Sequence, residues 1–210
     1  MIRSLSVIVP VLNKEREIIR TLESIDASLA YFHEQYDLEH TIYSELIVVD
    51  EGSSDRTLTL LAEFGQDKPY FQVIKHFRSL GISSARNMGA KIARGDILFF
   101  CDGDDLVFKE HLYLCFRLLN HQPPLAEELK TLQITVGHTV YSLTLPPHPI
   151  GVVRTGVRIA DSLHPEWKAA IENTLALNLC LRRDCHEFLE GFPEAPVYKQ
   201  IGCEDVSYTL

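Results

Sequence analysis

Four short and almost unbroken apolar runs occupy the first half of the chain, separated by stretches whose apolar residues recur at helical spacing. The first, Leu5–Val9, is rich in β-branched residues and stops at Pro10, which is the pattern of a strand buried on both faces. After it, Ile18, Leu22, Ile25 and Leu29 fall at steps of three and four, placing one stripe of a helix against a sheet. Glu45–Asp50, Phe71–Lys75 and Asp96–Cys101 repeat the strand signal. Between them, Leu58, Leu61 and Ala62 form a helical face whose start is supplied with capping side chains by Ser53, Ser54 and Asp55. A further helix is capped by Ser83 or Ser84, turns Ala85, Met88, Gly89, Ile92 and Ala93 inward, and finishes near Gly95. Strands and helices alternating in this order predict an α/β fold with a mainly parallel sheet, flanking helices and right-handed crossovers.

The second half is less regular. Lys109–Leu119 has helical spacing, whereas His121–Pro149 carries Pro123-Pro124 and Pro146-Pro147 around an alternating run, Gln133–Leu145, that predicts a strand or hairpin. Trp167–Leu175 predicts a helix, Asn178–Leu181 a short strand, and Arg182–Leu189 a helix finished at Gly191. No repeat of fixed period and no low-complexity linker interrupts the chain, so 210 residues are expected to form one domain with an irregular C-terminal half.

Charge narrows the partners. With Lys+Arg 20 against Asp+Glu 29 and a net charge of −9, the chain lacks the clustered basic residues that nucleic-acid binding requires. No apolar run approaches the ~20 residues of a membrane-spanning helix. Met1–Ser4 leads straight into the first strand without a small-residue cleavage site, so a cytoplasmic location is expected, with peripheral membrane association and a homo-oligomer left open. The five cysteines, Cys101, Cys115, Cys180, Cys185 and Cys203, form no C-x-x-C pair and are expected to be reduced and mostly buried.

In open parallel sheets, ligands bind outside the C-terminal ends of the strands. Three strands here finish in polar residues that could meet there: Pro10 with Asn13, Asp50-Glu51-Gly52-Ser53, and Asp102-Gly103-Asp104-Asp105. Packing three aspartates into one short turn concentrates charge that a divalent cation shared with substrate phosphates would absorb. An acidic turn capping the next helix is the alternative. The first strand is not followed by G-x-G-x-x-G, which argues against a nicotinamide oxidoreductase. No two of the nine histidines stand at metal-binding spacing, Asp55 reads as a cap, and Trp167 with its aromatic neighbours reads as core before an acceptor platform.

Four ordered blocks give the chain a specific resemblance. SVIVPVLN at Ser6–Asn13, ELIVVDEGSSD at Glu45–Asp55, GISSARNMG at Gly81–Gly89 and ARGDILFFCDGDD at Ala93–Asp105 resemble the family 2 glycosyltransferases, which have the Rossmann-like GT-A fold. NLCLRR at Asn178–Arg183, Gly191-Phe192 and Glu204-Asp205 extend the likeness. The resemblance implies a nucleotide-sugar-binding half over 1–120 and a short or truncated acceptor-binding half over 121–210. Pro10 and the pair Asp50-Glu51 would line the nucleobase end, Asp102 would face the ribose, and Asp104, with Asp102, would ligate Mn²⁺ or Mg²⁺ on the diphosphate. Arg86 would lie near the nucleotide or serve as a surface salt-bridge partner. The acidic pair is Asp50-Glu51 where the family more commonly has two aspartates.

By the same resemblance, the chain would move a sugar from a nucleotide-diphosphate sugar to a hydroxyl acceptor, a UDP-sugar favoured and a GDP- or dTDP-sugar open. Asp205, in the pair Glu204-Asp205, would act as general base and the anomeric centre would invert, a positioned base being worth about 10²–10⁴-fold. Glu204-Asp205 could instead begin a last helix, where acids favour the macrodipole. A retaining GT-A transferase is the nearest enzymatic rival. A nucleotide-sugar-binding module without transferase activity is the other reading, motivated by Leu210 lying five residues past Asp205.

Overall fold

The structure, a computed structural model, describes residues 2–36, 42–120, 131–136, 139–144, 149–154 and 179–194. The elements, in order, are β1 (Ser4–Val11), α1 (Ile18–Tyr36), β2 (Tyr43–Asp50), α2 (Thr57–Gly65), β3 (Phe71–Lys75), α3 (Ile82–Ile92) and β4 (Ile97–Phe100). Then come α4 (His111–Leu119), β5 (Thr131–Val136), β6 (Thr139–Thr144), β7 (Val152–Arg154), β8 (Leu179–Arg182) and α5 (Arg183–Phe188). Six strands form one sheet in the order β3-β2-β1-β4-β8-β7.

β1 lies at the centre because seven of its eight residues are buried and both its edges are paired in parallel, Val7 opposite Leu46 on β2 and opposite Phe99 on β4. Its pleat splits the core in two. Leu5, Val7, Val9 and Val11 face α1 and α4, where Ile18, Leu22, Ile25 and Leu29 pack as their spacing predicts. Ile8 faces the other way, with Ile47, Val49, Leu98 and Phe100, against Ala85 and Ala90 of α3 and against Phe192. Gln133–Leu145 resolves into the antiparallel pair β5-β6, Thr131 opposite Thr144 through Val136 opposite Thr139.

Several expectations need correction. The sheet is mainly parallel as expected, through β3-β2-β1-β4, but β8 runs antiparallel to β4 and β7 antiparallel to β8. Leu179, Cys180 and Leu181 are buried as a parallel strand's residues would be, and burial carries no strand direction. α3 begins at Ile82 after Gly81, with no side-chain cap, so neither Ser83 nor Ser84 caps it. It turns Ala85, Arg86, Gly89 and Ala90 inward and leaves Met88 and Ile92 exposed. Gly95 is required for close approach rather than for a helix end: a Cβ there would stand 2.4 Å from the Ser6 amide nitrogen and 2.7 Å from the Ile97 carbonyl oxygen. Asp55 does serve the start of α2, its Oδ1 accepting from the Thr57 N–H at 2.9 Å.

Arg183 locks the C-terminal elements to α3. Its guanidinium donates to the carbonyl oxygens of Ala90 (3.1 Å), Ala93 (2.8 Å) and Gly95 (2.8 Å), which α3 leaves without helical partners. Among the described residues, Cys101, Cys115, Cys180 and Cys185 are all free, the first three buried. No helix among them is long and apolar enough to cross a membrane. Trp167–Leu175, Cys203, Glu204 and Asp205 lie outside the described residues.

Candidate active site

The chain builds β2 and β3 on one side of β1, then returns through α3 to place β4 on the other. That reversal leaves a crevice outside the C-terminal ends of β1, β2 and β4, the position at which open α/β sheets bind ligands. A cleft of about 260 Å³ lies there. Pro10, Lys14, Glu51, Ser79, Ile82, Asp102, Gly103 and Asp104 line it.

The two loops that follow β1 and β2 brace each other. Asn13, in the left-handed region at φ 52°, accepts from the Ser54 N–H at 2.8 Å, and its own N–H donates to Ser53 Oγ at 2.9 Å. Asp50 is fully buried, and its Oδ2 accepts from the Gly52 and Ser53 N–H groups, each at 3.1 Å. This closes a turn that Gly52, at φ 87°, permits. Asp50 thus shapes the turn behind the cleft and does not line it. Glu51, one residue on and 3% exposed, does. Its Oε2 accepts from Ser79 Oγ (2.8 Å), the Leu80 N–H (3.0 Å) and the Gly81 N–H (2.7 Å), and Oε1 lies 2.8 Å from His76 Nδ1. Glu51 therefore organises the segment from His76 to Gly81 that leads into α3.

The acidic turn after β4 is held from two sides. Thr21 Oγ1 of α1 donates to the Gly103 carbonyl at 3.2 Å, and Gly103 sits so close to β1 that a Cβ would be 3.1 Å from the Pro10 carbonyl oxygen. Arg86, 3% exposed and so not a surface partner, donates from Nη2 to Asp102 Oδ1 at 2.8 Å while its guanidinium lies 5.1 Å over the Phe192 ring. The next residue on α3, Asn87, fastens the backbone of Phe192, accepting from its N–H at 2.8 Å and donating to its carbonyl at 2.9 Å.

Charge in the turn is incompletely balanced. Asp105 Oδ2 is buried with no hydrogen-bond partner. Burial first, then the nearby charges of Asp102 and Asp104, push the Asp105 carboxyl up to about 6. Lys14 lies 2.5 Å from Asp104 Oδ2. Among the described residues no group of three or more His, Cys, Asp or Glu side chains is arranged to hold a metal by itself. An uncompensated buried carboxylate oxygen beside two cleft-lining aspartates nevertheless fits an open cation site completed by ligand phosphates, the arrangement Mg²⁺ favours.

Of the residues proposed from sequence, Pro10, Glu51, Asp102 and Asp104 meet in one cleft, with Asp50 and Arg86 directly behind it. Lys14, His76 and Ser79 were not foreseen, and Phe192 was marked only as part of the Gly191-Phe192 block, without a role. Lys14 directly follows the Pro10-to-Asn13 block, which is a signal the sequence did offer; the others arrive through tertiary contacts.

The architecture defines a class first: a Rossmann-like α/β domain of the GT-A type, with its acidic turn at the point where strand order reverses. Residues 6–129 match glycosyl transferase family 2, and the chain belongs to that family. The uncharacterized glycosyltransferase YfnE of Bacillus subtilis is 39% identical over 106 residues, covering 50% of this chain and 24% of that protein. Staphylococcus aureus TarS 1–349 in complex with UDP superimposes with a TM-score of 0.59 at 23% identity, covering 98% of this chain and 54% of that one. The mannosyltransferase PcManGT from Pyrobaculum calidifontis, in complex with GDP-Man and Mn²⁺, gives 0.57 at 19% identity, covering 90% and 47%. The chain thus spans about a quarter of the length of YfnE and about half of the two solved structures.

Proposed function

We propose that the protein is a glycosyltransferase that moves a sugar from a nucleotide-diphosphate sugar to a hydroxyl acceptor with inversion at the anomeric carbon. The observation that carries this reading is the convergence of Glu51, Asp102 and Asp104 on one cleft at the strand switch point, beside the unpartnered oxygen of Asp105. A base would enter at the Pro10 and Glu51 end, and a diphosphate would lie toward Lys14, Asp102 and Asp104. UDP is favoured as the nucleotide, by the family likeness and by the UDP-bound relative TarS; the GDP-Man complex of PcManGT keeps GDP in view.

Asp104 and Asp102 would hold Mn²⁺ or Mg²⁺, which when bound neutralises charge on a departing diphosphate. Arg86 orients Asp102 by a charge-assisted hydrogen bond drawn from a buried position. Asp205, with Glu204 beside it in sequence, would take the proton from the acceptor hydroxyl as it attacks. An attack from the face opposite the nucleotide inverts the sugar carbon. The acceptor would be bound by the half of the chain from 121 to 210.

Nucleotide release from a panel of nucleotide sugars with Mn²⁺, measured for wild type, Asp104→Ala and Asp205→Asn, tests the reading. Loss of the base should lower turnover by about 10²-fold or more, and Asp104→Ala should lower it at least as far. Unchanged turnover in both variants would remove the mechanism.

A further inference from the structure

Lys14 is anchored at its backbone and loose at its tip. Its N–H donates to Thr57 Oγ1 at 2.9 Å, and its carbonyl accepts from the Ile18 N–H at 2.9 Å, fixing the Cα at the start of α1. The side chain places Nζ 2.5 Å from Asp104 Oδ2, with the two side chains 35% and 42% exposed. An ion pair this open to water adds little to stability. The contact answers instead to the acidic turn: Asp104 above all, then Glu17 and Asp102, raise the Lys14 ammonium above its ordinary value. The other cation of the turn, Arg86, is 3% exposed and committed to Asp102, so among the described residues lining the cleft Lys14 is the cation able to change partners.

We infer that Lys14 is an exchangeable counter-cation, holding Asp104 until a divalent ion takes that carboxylate and then passing to the diphosphate of the donor. An ammonium and a divalent ion cannot both sit on one carboxylate oxygen without strong like-charge repulsion. A displaced lysine has the reach and the chemistry for phosphate, which it binds as a point charge without fixed geometry. This inference rests on the cleft being a nucleotide-diphosphate site, and it adds a residue that competes with the metal in one state and assists its ligand in the next.

Neutralising Lys14 then has two effects of opposite sign, a signature that a merely structural lysine does not give. Lys14→Met should tighten the binding of Mn²⁺ alone, followed by the electron paramagnetic resonance of the free ion in the absence of nucleotide. A gain of about five- to tenfold is expected from removal of one competing unit charge. The same variant should bind UDP or GDP about tenfold more weakly by calorimetry with saturating Mn²⁺, and by a smaller factor with EDTA, where wild-type Lys14 stays on Asp104. Lys14→Arg, which keeps the charge, should restore most of the nucleotide affinity. An Mn²⁺ affinity that is unchanged or weaker in Lys14→Met overturns the inference, as does an unchanged nucleotide affinity or an arginine variant no better than methionine. If wild type with Mn²⁺ binds neither nucleotide, the donor-site reading fails and this inference falls with it. If wild type binds and Lys14→Met is indistinguishable, only this inference fails.

Discussion

One methylene separates the work of two neighbouring acids. Asp50 is short enough that its carboxylate turns back on the amides of Gly52 and Ser53, whereas Glu51 extends to His76, Ser79, Leu80 and Gly81. Both are buried, and both are satisfied. Glu51→Ala would leave the hydroxyl and two backbone amides, together with the His76 ring nitrogen, facing an empty space. The expected cost is about 3 kcal/mol in urea unfolding at neutral pH, in the range seen when a buried acceptor is removed from several donors. Glu51→Asp keeps the charge but falls short of the 76–81 segment, and should lie between alanine and wild type. A loss below about 1 kcal/mol for alanine would mean that the segment is held by something other than Glu51. At this scale the sequence marks Pro10, Glu51, Asp102 and Asp104, because each follows directly on a recognisable strand. It says nothing of His76 and marks Phe192 only through the Gly191-Phe192 block, because their roles come from contacts 25 and more residues away.

Elements were the most legible level, and the errors have local causes. The stripe Ile18, Leu22, Ile25 and Leu29 is buried as its spacing predicts, and the polar Thr21 and Ser28 buried with it are hydrogen-bonded to Gly103 and Leu112. On α3 the apolar pattern is outbid: Arg86 is drawn inward by Asp102 and the Phe192 ring, so Met88 and Ile92 are turned toward solvent. α5 shows a related conflict that solution conditions can expose. His186 is 8% exposed, with ring centroids 5.6 Å from Phe100 and 5.9 Å from Phe192. Burial first, and then the charge of Arg183, lower its imidazolium from 6.5 to about 4. The folded state therefore keeps His186 neutral where the unfolded chain takes up a proton, so stability is full above about pH 6.5 and is lost as pH falls toward 4. Discounted for partial exposure, the loss attributable to this group is about 2 kcal/mol. Urea unfolding between pH 7 and pH 4.5 should show a shallower decline in His186→Leu than in wild type. Parallel declines would assign the acid sensitivity to other groups.

For the molecule as a whole, the alternation of strand and helix specifies the parallel core β3-β2-β1-β4 and, through it, where a ligand must sit. It cannot specify β8 and β7, because a short buried strand such as Leu179–Arg182 looks the same in either direction, and its partner is chosen by Arg183 anchoring α5 to the end of α3. The cleft lies at the reversal in strand order, and its walls come from loops separated by up to 94 residues, Pro10 to Asp104. A ligand that bridges them therefore ties the two sides of the sheet together, and its binding energy appears as global stability. A correct nucleoside diphosphate with Mn²⁺, at 100 times its dissociation constant, should add about 2.7 kcal/mol. For a domain of 150–250 residues that corresponds to a rise in Tm of roughly 5 to 10 °C. Thermal unfolding with UDP, GDP, CDP and dTDP, each with and without Mn²⁺, should rank UDP first and show the larger shift with metal. Glu51, proposed to meet the base, has most of its acceptor capacity already spent on protein donors, so the ranking among bases should be shallow relative to the gain from Mn²⁺. A steep ranking with no dependence on metal would move the main binding determinant from the acidic turn to the wall built by Glu51, Ser79 and Ile82.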